Sequence, residues 1–131
     1  MSITPISSAA TNPNLQVLNE QIYGYKHGIR PLVLQTESMK DKDVIEKRLQ
    51  RDNLNYHLMP APGGKNLNVF FGDKACVDVI KSFNNQPLNE MTPEKDFMLG
   101  VLLGYDKTKQ CERYLKLKEK EQQKQGLNLV A

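Results

Sequence analysis

The sequence predicts an α+β fold: a three-stranded mixed sheet in the order β-α-β-β-α, a ferredoxin-like half, covered by about five helices. Three observations carry this. Short β-rich runs occur at "RPLVLQT", "LNYHLMP" and "NLNVFFG". The last two are joined by a Pro- and Gly-rich turn, and the stretches around the three runs carry apolar residues at helical spacing. A chain of 131 residues is about one domain's worth, and neither a repeat nor a linker divides it.

Residues 1–11 are rich in Ser, Thr and Ala and are expected to be a flexible lead-in to a single domain over 12–118. Asn12 then suits an N-cap and Pro13 the first helical position, where its missing N–H costs nothing. Leu15, Leu18 and Ile22 give the first helix its apolar side, and the helix ends near Lys26 ahead of Gly28. The first strand is placed at 31–36. Ser38 with Asp41 starts a second helix, whose stripe is Val44, Ile45, Arg48 and Leu49.

Strands two and three follow at 54–60 and 66–72, with Leu67, Val69 and Phe71 alternating with Asn66, Asn68 and Phe70. Asp73 caps a third helix with Cys76, Val79, Ile80 and Phe83 on one face. Thr92 and Pro93 open a fourth, with Phe97, Met98, Val101 and Leu102 as its apolar side. Asp106 opens the last helix, which carries Cys111, Tyr114 and Leu115 on one face and runs to about Gln123. Because "KEKEQQKQ" has no apolar side, residues 119–131 are expected to form an exposed polar helix end and a tail, "LNLVA" also suiting an edge strand. A right-handed crossover makes strands one and two parallel, and strand three returns antiparallel. Bare sheet edges call for covering helices or a second subunit, which points to a homodimer.

Composition narrows the function. At 39% hydrophobic and 25% charged residues the chain reads as soluble and globular. No apolar run approaches the roughly 20 residues of a membrane span, and the N-terminus lacks a basic start and an apolar signal core. A cytoplasmic protein is expected. Cys76 and Cys111 match neither a metal-ligand spacing nor a redox pair. No acid–base pair, nucleophile or metal cluster can be named, so an enzyme is not expected and no cofactor is assigned.

The net charge is +3. From Lys107 to Lys124 there are seven cations and three anions, giving +4 and leaving −1 for the rest of the chain. An acidic partner would therefore meet the last helix. Tyr105, Lys107, Lys109, Arg113, Lys116 and Lys120 are the partner-binding candidates, since aromatic residues and arginine anchor interfaces. Lysines interspersed with glutamate, without an aromatic ladder, do not suit nucleic acid.

The stretch "LMPAPGGKNLNVFFG" holds the other candidate site. A phosphate-binding P-loop needs an earlier glycine, a hydroxyl after the lysine and a following helix, and this loop has none of them. A five-residue hairpin connection explains the residues, with Gly63 and Gly64 supplying positive φ. Lys65 beside two glycine amides also suits a weak anion nest. His57 lies on strand two, where a surface or satisfied histidine is the simplest account. His57, Gly63, Gly64 and Lys65 are thus the ligand-binding candidates of a second function, a dimeric small-ligand sensor.

Three pieces, "YGYKHGIRPLVLQT", "YHLMPAPGGKNLNVFFG" and "LGYDKTKQCERYL", cover most of residues 23–115. Together they resemble a small bacterial family of uncharacterised proteins, some encoded beside or fused to flavodoxin. The resemblance implies three strands with several helices, a homodimer, and flavodoxin as the acidic partner. It implies no activity and no catalytic residue, and it does not extend to the basic segment beyond Leu115.

Overall fold

A computed structural model of the chain describes residues 13–130, with side chains placed for 15–126. The expected flexible segment and the cap at Asn12 lie outside the described residues. Helix α1 (Pro13–Lys26) is followed by β1 (Leu32–Ser38), a 3-10 turn (Met39–Asp41), α2 (Lys42–Arg51), β2 (Asn55–Pro60) and β3 (Asn66–Gly72). Then come α3 (Lys74–Lys81), a second 3-10 turn (Leu88–Glu90), α4 (Pro93–Leu102) and α5 (Lys107–Val130).

The strand order is β1-β3-β2, and β3 is antiparallel to both neighbours. β1 and β2 therefore run in the same direction, as the sequence predicts. Because β3 inserts between them, every ladder is antiparallel and the sheet is not mixed. Val33 stands opposite Phe71, and Leu58 opposite Val69.

β3 is buried from Leu67 to Gly72, so both of its faces are covered. On one face Leu67, Val69 and Phe71 pack with Val33, with Leu15, Leu18 and Ile22 of α1, and with Ile45 and Leu49 of α2. On the other, Phe70 packs with Leu32, Met59, Val77, Ile80 and Phe83, and with Leu99 and Leu103 at the end of α4. A ferredoxin-like unit keeps its helices on one side of the sheet. Here the strand order matches that unit but α2 and α3 lie on opposite faces, because β3 is apolar on both. Each buried phenylalanine contributes roughly 2–3 kcal/mol relative to exposure.

Several caps form as the sequence predicts. Lys95 N–H donates to Thr92 Oγ1 at 3.2 Å, and Lys109 N–H to Asp106 Oδ1 at 2.8 Å. Ser38 accepts from Lys40 N–H, capping the 3-10 turn rather than α2 itself. Asp73 sits at the N-cap of α3 without capping it, since its carboxylate accepts from the Tyr25 hydroxyl at 2.8 Å. The helical stripes shift in places. Val44, Met98 and Val101 are exposed, and Val77, Leu99 and Leu103 are buried in addition to the expected residues. Beyond Gln123 the expected tail is helical to Val130, with no edge strand there.

Candidate functional site

The hairpin joining β2 and β3 is closed by its own backbone. Ala61 N–H donates to Asn66 O at 2.9 Å and Gly64 N–H to Ala61 O at 3.1 Å, while Met39 N–H reaches Lys65 O at 3.0 Å. Gly63 and Gly64 have φ of +91° and +73°, the left-handed conformations that such a turn takes from glycine. The five residues 61–65 are thus a turn, and the Gly64 amide that a nest would use is already engaged.

His57 is three residues back along β2 and does not join that loop. Its Nε2 lies 2.7 Å from Asn85 Oδ1, which accepts its proton. His57 lines a cleft on the β2 side with Lys42, Glu46, Tyr56, Lys74 and Lys81, whereas Gly63, Gly64 and Lys65 do not line it. Three of its charged groups are engaged: Glu46 accepts from the Tyr56 hydroxyl, and Lys74 pairs at 2.7 Å with Asp78, which also lines the cleft.

The partner-binding candidates are set out by the α4/α5 hairpin. Gly104 turns the chain after α4, with Tyr105 N–H bonded to Gly100 O, and α5 runs back along α4. Arg113 Nε and Nη2 donate to the two oxygens of Asp96 at 2.8 and 3.0 Å, a forked pair that holds the guanidinium protonated. The Tyr114 hydroxyl donates to Glu94, its ring meets Phe97 edge-on, and Lys118 pairs with Glu94 at 3.2 Å. The bond from Lys118, then that from Tyr114, holds the Glu94 carboxyl below its ordinary range.

Outside this seam Lys109, Arg113, Lys116 and Lys120 line one groove along α5, with Glu112 and Leu117. Four of the six candidates therefore come together. Among the described residues Lys109, Lys116 and Lys120 form no ion pair, and Arg113 reaches Asp96 alone. Lys107 stands about 200° around the helix from Lys109 and belongs to a different flank. Tyr105, 53% exposed, lies on the corner. Cys111 and Leu115, expected on the packed face with Tyr114, are exposed instead. The packed side of α5 is marked by Gln110, Tyr114 and Lys118, which meet Gly100, Phe97 and Glu94 of α4.

One unusual group was not singled out in the sequence. Glu37, on β1 opposite Leu67, is 2% exposed, and among the described residues neither carboxylate oxygen has a hydrogen-bond partner within bonding distance. Burial pushes its carboxyl up to about 7, the Asp41 charge adds to this, and the Gln35 side chain acts against it. The signal lay in the period of β1, where Val33, Gln35 and Glu37 share one face.

Among the described residues no helix is long and apolar enough to cross a membrane, and no three His, Cys, Asp or Glu cluster as metal ligands would. A three-stranded antiparallel sheet between two helical layers, with a cation-lined helical hairpin at one side, defines a small α+β protein whose charge is concentrated on its last helix. The chain matches a family of proteins of unknown function (DUF2023) over residues 16–117, more than three quarters of its length, and belongs to that family. The match takes in the sheet, the cleft at His57 and the hairpin as far as Leu117. No curated protein matches the chain.

Proposed function

We propose that the protein is a non-enzymatic interaction module that docks an acidic partner against the outer groove of α5. The observation that supports this is the gathering of Lys109, Arg113, Lys116 and Lys120 in one groove, with the three lysines in no ion pair among the described residues. Such a patch raises the association rate and makes binding sensitive to salt. Flavodoxin is the specific candidate, because the sequence resembles a family associated with it and flavodoxins are acidic. The protein acts in the cytoplasm as a homodimer, as the family resemblance implies.

Titration calorimetry against the flavodoxin of the same organism tests the reading. Binding at low salt that weakens at least about tenfold at roughly 0.5 M salt is expected, since surface charges are then largely screened. Replacing Lys109, Lys116 and Lys120 together by glutamate abolishes it without unfolding the protein, as all three are exposed. Affinity unchanged by the triple replacement refutes the electrostatic contact.

A second reading takes its support from the cleft at His57, where Lys42 and Lys81 converge on the edge of β2. There a dimeric sensor would hold a small anionic metabolite. It requires a ligand-dependent rise in melting temperature, lost in His57→Ala. A metabolite library that produces no such rise removes this reading.

A further inference from the structure

The α4/α5 hairpin has a second flank that the cationic groove does not use. Glu94 bonds Lys118, Phe97 meets Tyr114, and Gly100 lies against Gln110, so α4 residues 94, 97 and 100 stand level with α5 residues 118, 114 and 110. Residue 98 is then level with about 113, midway between 111 and 115, and residue 101 with about 109, half a turn from 111. The Arg113–Asp96 pair marks one side of this seam. At about 100° per residue, Met98 and Val101 of α4 and Cys111 and Leu115 of α5 fall on the other. All four are exposed, Leu115 by 64%, Met98 by 42% and Val101 by 37%. Adjacent exposed apolar side chains of this kind mark interaction surfaces.

The sequence of α5 indicates what covers them. Lys107, Cys111, Leu115 and Glu119 are spaced four apart and form one ridge on the helix. A two-fold axis at the level of Arg113 reverses this ridge onto itself. Lys107 of one copy then stands opposite Glu119 of the other, and Cys111 opposite Leu115. Lys107 and Glu119 are exposed and, among the described residues, take part in no ion pair. Packing of two such ridges gives the commonest helix-crossing geometry, near −50°. An acidic protein or an anionic lipid surface would instead meet Glu119 and Glu94 with like charge.

We propose that this flank is the contact between two copies of the chain, related by a two-fold axis across the Lys107–Cys111–Leu115–Glu119 ridge. The assignment rests on the homodimer reading above and places the interface on the helical hairpin rather than on a sheet edge. It leaves the groove of Lys109, Lys116 and Lys120 facing outward on both copies, free for a partner.

Light scattering on the full chain at roughly 100 μM, with dissociation constants from sedimentation, provides the test. A wild-type dimer and a folded, monomeric Leu115→Glu are expected. Lys107→Glu and Glu119→Lys should each weaken dimerisation about tenfold, and the double variant should restore it, since reversing both charges recreates the pair. A monomeric wild type overturns the homodimer reading and this inference together. A dimeric wild type whose Leu115→Glu variant is still dimeric overturns the assigned surface alone. Should Leu115→Glu not fold, the charge swap decides, and equal dimerisation in both singles and the double refutes the ridge.

Discussion

Glu37 gives the sharpest prediction that the fold makes about itself. Its carboxyl has an ordinary value of 4.5 and is pushed up to about 7 in the folded chain, chiefly by burial. The folded state therefore holds this proton over a range of pH in which the unfolded chain releases it. Stability associated with the neutral form is fully present below about pH 4.5 and is lost as pH rises towards 7. At about 1.4 kcal/mol per unit of pH, the loss is about 3 kcal/mol. Glu37→Gln is neutral at every pH and nearly isosteric, so it escapes this loss while keeping whatever fixed cost an unpartnered buried polar group carries. Urea denaturation of both proteins between about pH 4 and about pH 8 is the assay. The variant should gain about 3 kcal/mol on the wild type across that range, a midpoint shift on the order of 1–2 M urea. A difference between the two that is flat with pH to within about 1 kcal/mol would refute the reasoning, because it would mean that Glu37 ionises as freely folded as unfolded.

Neighbouring residues of α2 separate the true core stripe from the expected one. Ile45→Ala, at a fully buried site against β3, should cost about 2–4 kcal/mol in chemical denaturation, whereas Val44→Ala, 53% exposed, should stay within about 0.5 kcal/mol. Gly72→Ala should lower the melting temperature sharply or prevent folding. An added Cβ there runs into the backbone carbonyl of Pro31, which is held by Asp73 N–H at 2.8 Å and has no flexible side chain to give way.

The sheet was legible because its signals are local. Alternation in "NLNVFFG" and the Pro-Gly-Gly turn place β2 and β3 almost to the residue, and Thr92 and Asp106 mark their helix starts by side-chain chemistry alone. What was not legible depends on partners distant in sequence. In α4 the run "FMLGVLL" is apolar almost all round, and the helix is packed on two sides, by the sheet through Leu99 and Leu103 and by α5 through Phe97. Its phase cannot be read without knowing both. Cys111 and Leu115 share a face with Tyr114 in the sequence pattern but turn outward, since only the position of α4 shows that Gln110 and Tyr114 face it. The alternating reading of β3 passes over Phe70, which stands with Asn66 and Asn68 but packs against α3, so the crossing of α3 to the side opposite α2 is not read from it. At the candidate sites, clustered charge identified the right helix but not the side on which each lysine stands. Glu37 fell just beyond the expected end of β1.

α5 continues for twelve residues past Lys118, where its side-chain bonds to α4 end among the described residues. At about 1.5 Å per residue that is a rod of roughly 18 Å. Twelve residues are at the margin of what a helix sustains alone in water. Its amide protons should therefore exchange with solvent progressively faster towards Val130, and proteases should trim it first. Whatever binds this rod would lengthen the protected stretch, so amide exchange measured along it would register occupancy as a ruler does, turn by turn.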